Sequence, residues 1–293
     1  MKKYLRWAGL GLGAVVALLV VGFAVVMLIT TRREARKWPV APVTLTVSSD
    51  SATIARGFHL ATAIGKCVDC HGEDLGGQLF LDGMPMAKFA APNLTSGGPT
   101  AGWSDADLAR AIRNGVTPDG RGLIFMPADA FHAMGAEDLS ALIAYVRQMP
   151  RVDRTGPGLK FGPIGRVLWA TGKLEFQAAR TFNVEEGIPV APPAGPTPEY
   201  GKYLATIGGC TSCHGKNLKG GINYGPPGTP PSQNLTPGGD VKGWALADFT
   251  KALRNGVRPD GSVINPFMPW IRAGKMTDEE IAAVWAYLQS LPG

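Results

Sequence analysis

The stretch Cys67-Val68-Asp69-Cys70-His71-Gly72 sets two cysteines three residues apart, with a histidine directly behind the second. On one turn of helix, positions i, i+3 and i+4 share a face, so both sulfurs and the imidazole address a single flat ligand. The stretch recurs 143 residues later as Cys210-Thr211-Ser212-Cys213-His214-Gly215. The whole chain therefore has to be tested for duplication.

The match extends outward from the cysteines. Asn93-Leu94-Thr95 returns as Asn234-Leu235-Thr236, Gly102-Trp103 as Gly243-Trp244, and Arg113-Asn114-Gly115-Val116 as Arg254-Asn255-Gly256-Val257. Pro118-Asp119-Gly120 returns as Pro259-Asp260-Gly261, Phe125-Met126-Pro127 as Phe267-Met268-Pro269, and Ala144-Tyr145 as Ala286-Tyr287, with the offset drifting between 141 and 144. Two homologous domains are expected, over residues 51–150 and 200–293, joined by a linker at 151–199. That period lies far above the 20 to 50 residues of solenoid repeats.

Each copy reads as helical. Thr197-Pro198-Glu199 has the form of an N-cap followed by proline at the first helical position, and the first copy starts similarly near Ser51. A second helix is expected from Ser104, with Asp107 completing a capping box, to Gly115. Its counterpart, Ala245 to Asn255, lacks the capping serine, which predicts a frayed start. Leu139, Leu142, Ile143 and Val146 match Ile281, Val284, Trp285 and Leu288, each set at i, i+3, i+4, i+7, in closing helices that end before Pro150 and Pro292. No strand-period pattern persists, so the expected class is all-α with long Gly- and Pro-rich connections. Within the linker, Ile164 to Ala179 suits a short helix and Ile188 to Pro198 a semi-rigid extended segment, the whole reading as a strap packed on one domain.

The chain has 293 residues and a net charge of +6. Seven basic residues and one acid lie within residues 1–37, leaving 22 of each sign elsewhere. The body is neutral and lacks the basic footprint of a nucleic-acid binder. Ala8 to Thr30 is an uncharged run of 23 residues, about 34 Å as helix and enough to cross a bilayer. A cleaved signal peptide is the rival reading, but its apolar core is shorter and ends in a small-residue cleavage motif. The expectation is an uncleaved anchor over residues 1–37, with basic flanks too alike to set its orientation.

Three chemistries use paired cysteines. A thioredoxin-like dithiol needs a βαβ context, which is absent, and structural zinc needs four ligands. The second copy offers only Cys210, Cys213 and His214. C-x-x-C-H is the covalent haem attachment signal, in which the thiols add to the porphyrin vinyl groups and the histidine ligates iron. Two covalently bound haem c groups are thus expected, on Cys67, Cys70 and His71 and on Cys210, Cys213 and His214. The second copy has no further histidine for the sixth iron position. A methionine thioether can fill it. Both copies place a methionine in the same Phe-Met-Pro context, Met126, 55 residues after His71, and Met268, 54 after His214. Core filling is the competing role for both. Met84, Met86, Met134, Met149 and Met276 stand outside that context and default to packing, and His59 and His132 read as ordinary surface or core residues.

With CxxCHG, Asn-Leu-Thr, Gly-Trp, RNGV-x-PDG, FMP and a terminal helix ending in Tyr-x-x-x-x-Pro, the chain resembles class I c-type cytochromes. More narrowly, it resembles the membrane-anchored multihaem cytochrome c subunits of bacterial alcohol, aldehyde or gluconate dehydrogenases. The resemblance implies packing and hydrogen bonding along the haem edge for Asn93, Trp103, Asn234 and Trp244. It also implies that thioether bonds consume all four cysteines. Because c-haem is attached outside the cytoplasm, it implies a single-pass protein of the bacterial inner membrane with periplasmic haem domains, Lys2, Lys3 and Arg6 lying inside. The expected function is one-electron transfer between a membrane-associated or periplasmic donor and a respiratory acceptor, with no catalytic residues. Expected partners are a dehydrogenase, a quinol-oxidising complex or a terminal oxidase, and no nucleic acid. The alternative is a dihaem oxidoreductase of peroxidase or thiosulfate-oxidising type, which needs a vacant or unusually ligated iron.

Overall fold

The computed structural model describes residues 1–40, 42–156, 158–223, 225 and 228–293. The chain opens with α1 (Lys2–Glu34), the one helix among the described residues long and apolar enough to cross a bilayer. Large apolar side chains along it, Leu5 to Leu28, are exposed. Its last turn docks on the linker. Arg33 donates to the carbonyls of Trp169 and Ala170, and Arg166 donates to Thr30 Oγ1 at 2.8 Å and to Glu34 at 3.2 Å.

The first copy holds a leading helix α2 (Ser51–His59), a one-turn α3 (Cys67–His71), α4 (Asp105–Asn114), a short α5 (Ala128–Phe131) and a closing α6 (Ala136–Gln148). After the linker helix α7 (Pro163–Ala170), the second copy repeats the series as α8 (Pro198–Ile207), α9 (Cys210–His214), α10 (Leu246–Asn255), α11 (Trp270–Ala273) and α12 (Asp278–Gln289). The caps follow the sequence. Thr197 accepts the Tyr200 N–H, Ser104 and Asp107 cap each other's backbone, and Gly115 ends α4 in the left-handed region at φ 63°. The cap of α2 is Asp50, one residue ahead of the expected start. Ala245 has no side-chain acceptor, yet the Asp248 carboxylate accepts its N–H at 2.9 Å. Half the box survives, so the start of α10 is less bare than the lost serine implies.

Leading and closing helices cross in each copy over a glycine. A Cβ at Gly57 would lie 1.9 Å from the Ala141 carbonyl oxygen, and one at Gly201 would lie 1.9 Å from that of Ala283. From this glycine to the first cysteine is ten residues in the first copy and nine in the second. The extra residue is absorbed by a π-helical turn, Leu60–Ile64, closed by the Gly65 N–H on Leu60 O at 2.7 Å. A one-residue insertion is accommodated in this way without breaking the helix. Part of the drift in repeat offset has this physical cause.

The all-α expectation requires a correction. A small antiparallel sheet of order β1-β2-β3 joins β1 (Leu79–Gly83), β2 (Ala87–Ala90) and β3 (Leu159–Phe161), with Leu79 opposite Ala90 and Phe89 opposite Leu159. Strands of five, four and three residues carry too little alternation to be read. Aromatic packing holds them. Phe89 meets Phe125 at 5.0 Å between centroids, and Phe161 meets both Trp169 and Phe176 at 5.2 Å. The third strand comes from the linker, which straps the first copy. Asn93 donates to Val152 O at 2.6 Å, Arg154 pairs with Asp74 at 2.7 Å, and Arg113 donates to the carbonyls of Glu186 and Gly187 at 2.8 and 2.6 Å.

The two copies share one apolar core, in which Leu60, Leu139 and Leu142 of the first are continuous with Leu204, Ile207 and Ile281 of the second. A polar clasp crosses the boundary. His59 meets Glu280 at 2.6 Å, and the Tyr203 hydroxyl donates to Asp138 at 2.7 Å. His59 and Tyr203 are equivalent positions, as are Glu280 and Asp138, so the copies are related by a local two-fold of the kind that makes an isologous interface. Arg56 reaches Asp138 at 2.9 Å and Glu280 at 2.8 Å, and its own counterpart Tyr200 at 3.3 Å. A residue that touches its own mate lies at the two-fold.

Candidate cofactor site

In both copies the CxxCH stretch forms a single helical turn entered through a left-handed residue, Lys66 at φ 53° and Gly209 at φ 70°. The turn puts Cys67, Cys70 and His71 on one face, and Cys210, Cys213 and His214 on the other copy's equivalent. All four cysteines are free. Burial pushes the Cys67 thiol up to about 11 and Cys70 up to about 12, and raises Cys210 and Cys213 too. A disulfide-exchanging pair needs the opposite shift.

Each histidine is buried and oriented by a loop carbonyl. His71 Nδ1 donates to Pro92 O at 2.8 Å, and His214 Nδ1 donates to Gln233 O at 2.8 Å. Such a bond fixes the tautomer and leaves Nε2 with the lone pair a metal needs. Burial lowers both imidazole pKa values, partly opposed by the carbonyl bonds, so both rings stay neutral. Two desolvated thiols and one neutral, oriented imidazole per turn fit a covalently attached haem.

The carbonyl that orients each histidine precedes the Asn-Leu-Thr stretch, whose repetition now has a reason. Asn93 Oδ1 accepts from Thr95 N at 2.9 Å and Thr95 Oγ1 at 2.7 Å; Asn234 does the same to Thr236 at 2.9 and 2.8 Å. The next residue ties back, Leu94 N to Leu75 O and Leu235 N to Leu218 O, both at 2.8 Å. Leu75 and Leu218 are fully buried and left-handed, at φ 51° and 58°. Asn93 and Asn234 thus staple the loop that holds the acceptor. Trp103 and Trp244 pack partly buried against the shared core.

The RNGV-x-PDG stretch is a return turn. Gly120 and Gly261, both at φ 84°, close it, and Leu123 N and Ile264 N then bond the carbonyls of Gly115 and Gly256 at 2.7 Å. This brings the chain back over the end of the middle helix and into Phe-Met-Pro. Met126 O accepts from Ala128 N at 2.8 Å, and Met268 O accepts from Trp270 N at 2.7 Å, so both methionines precede a proline that opens a short helix. Met126 and Met268 lie half-buried against the core cluster that also borders Cys67 and Cys210. His59 and His132 sit elsewhere, in contacts with Glu280 and Glu186.

No residue-type signal marks the acceptors Pro92 and Gln233, which act through backbone carbonyls. Nor does any motif single out Trp270, whose buried Nε1 has no partner among the described residues, beside the second Phe-Met-Pro. A bulky aromatic where the first copy has Ala128 was the available signal.

Comparison with known proteins agrees with this duplication. Residues 198–292 match the family model described as cytochrome c, and residues 52–146 match that described as cytochrome c oxidase, cbb3-type, subunit III. The cytochrome c subunit of alcohol dehydrogenase (quinone) from Gluconobacter oxydans is 37% identical over 94 residues, 30% of this chain and 20% of that protein. The fructose dehydrogenase cytochrome subunit of Gluconobacter japonicus is 34% identical over 116 residues, 34% of this chain and 24% of the relative. A diheme cytochrome c-type protein of Cereibacter sphaeroides is 27% identical over 256 residues, covering 78% of this chain and 82% of the relative. The chain spans about 20% of the length of the first curated relatives it matches.

Proposed function

We propose that this chain, which carries two cytochrome c domains, is a membrane-anchored dihaem electron carrier. In this reading Cys67 and Cys70 bind one haem as thioethers and Cys210 and Cys213 the other. His71 and Met126 would ligate the first iron, and His214 and Met268 the second. When bound, each haem supplies a one-electron couple. The chain's residues do the rest: Pro92 and Gln233 orient the imidazoles, burial keeps them neutral, Asn93 and Asn234 hold those loops, and the shared core keeps water away.

The observation that carries this reading is the paired constellation. Both copies repeat the attachment turn, the histidine-orienting carbonyl and the Phe-Met-Pro loop, with matching backbone bonds onto Gly115 and Gly256 and onto Met126 and Met268. A histidine and a methionine available to each iron would suit electron transfer and disfavour direct action on a small substrate. The dehydrogenase names carried by the relatives support a periplasmic or membrane-bound dehydrogenase as donor and a respiratory complex as acceptor. The apolar α1 supports insertion in the inner membrane, with both domains and the thioether chemistry on the periplasmic side.

Carbon monoxide added to the dithionite-reduced, detergent-solubilised protein tests the ligation. Neither haem binds it rapidly at neutral pH if both methionines ligate; rapid binding by either haem moves the protein toward the oxidoreductase alternative. Subunits that co-purify under the same conditions identify the donor.

A further inference from the structure

The residue leading into each attachment turn is left-handed, Lys66 in the first copy and Gly209 in the second. Glycine adopts that region freely, whereas an L side chain is strained there. The first copy bears a strain that its twin avoids. Strain kept at one of two equivalent positions directs attention to its side chain.

Lys66 Nζ donates to Ile64 O at 2.8 Å and to Gly208 O at 2.6 Å. Ile64 ends the π turn of the first leading helix, and Gly208 caps α8 of the second copy. One ammonium therefore satisfies the last carbonyls of both leading helices at their negative ends. The two backbones are close at this point, since a Cβ on Gly208 would lie 3.6 Å from Ile64 O. Burial disfavours the Lys66 charge, while Cys67, Cys210 and Cys213 lie within electrostatic reach and oppose that effect, as do the two carbonyls that the ammonium meets. Asp69 faces it as well, but that carboxylate is held at 2.7 Å by Arg272, which also binds Glu73 at 2.6 Å.

We propose that Lys66 is a positioning residue shared by both haem sites: its ammonium ties the two attachment turns together across the domain boundary, and its charge raises the reduction potential of both haems. A fixed positive charge disfavours the more positive oxidised iron, and only a group placed between the turns acts on both. This inference rests on the reading of both turns as haem attachment sites.

Three variants test it by potentiometric titration of the solubilised full chain. Lys66→Gln keeps donors for the two carbonyls and removes the charge; Lys66→Arg keeps both. The double variant Lys66→Gly with Gly209→Lys moves the lysine to the equivalent position across the two-fold. Both midpoints should fall in Lys66→Gln by up to about tenfold in the oxidation equilibrium, or about 59 mV for one electron. They should stay at wild-type values in Lys66→Arg and in the swap. A shift of one haem alone, of neither, or of equal size in Lys66→Arg overturns the proposal. If Lys66→Gln fails to take up haem, the swap decides. Wild-type midpoints support the shared role, and lowered midpoints or failure to take up haem contradict it. Absence of covalent haem from the wild-type chain would instead remove the proposed function itself.

Discussion

His59 Nε2 lies 2.6 Å from Glu280 Oε2 across the boundary between the two copies, and Glu280 also receives Arg56 at 2.8 Å. The equivalent pair, Tyr203 and Asp138, closes the other half of the clasp. Replacing Arg56 by methionine leaves Asp138 and Glu280 facing each other without their common cation. Breaking a largely buried ion pair in this way costs about 3 kcal/mol or more. The variant should unfold at clearly lower denaturant while each copy keeps its haem spectrum. An unchanged midpoint would show that the clasp contributes nothing.

The same carboxylate makes the clasp sensitive to acid. Burial alone would raise the Glu280 pKa, but hydrogen bonds from His59, the Thr277 N–H and Arg56 outweigh it and hold the group down at about 2. A depressed folded pKa contributes stability above the unfolded value, and that contribution is lost as pH falls through the folded one. The clasp should therefore weaken between about 4.5 and about 2, and Glu280→Gln should flatten that part of the curve. Denaturation midpoints measured across this range check it; identical slopes for wild type and variant would contradict it.

Gly201→Ala tests the helix crossing. The new Cβ would meet Ala283 O at 1.9 Å and Tyr287 Cβ at 2.9 Å, so α8 and α12 must separate. Overpacking of this kind costs about 1–3 kcal/mol. Gly102→Ala meets nothing within 4 Å and should stay within about 0.5 kcal/mol of wild type. Thermal unfolding of the pair reads the difference; equal midpoints would remove the steric argument.

Met126→Ala and Met268→Ala should each retain covalent haem and lower the potential of one haem, because the thioether favours the reduced iron. Spectra and potentials unchanged in either variant would remove that methionine as a ligand.

Much of this was legible in the sequence, and what was hidden has a common character. The attachment turns, the Ser104–Asp107 box, the Thr197 cap and the closing helices follow from local spacing and capping chemistry. The sheet escaped because its strands are short and its third member comes from the linker. The π turn at Leu60–Ile64 leaves only a one-residue drift in the repeat. Pro92 and Gln233 act through carbonyls that any residue possesses. The clasp joins residues up to 224 apart in the chain, a separation no local pattern reports.

The most direct test of the account is the haem content of the intact chain. Mass spectrometry of the denatured, acid-acetone-extracted protein, alongside its pyridine haemochrome spectrum, should give the polypeptide plus two covalently bound haems, and Cys210→Ala/Cys213→Ala should leave one. A wild-type chain at the mass of the bare polypeptide would contradict the account.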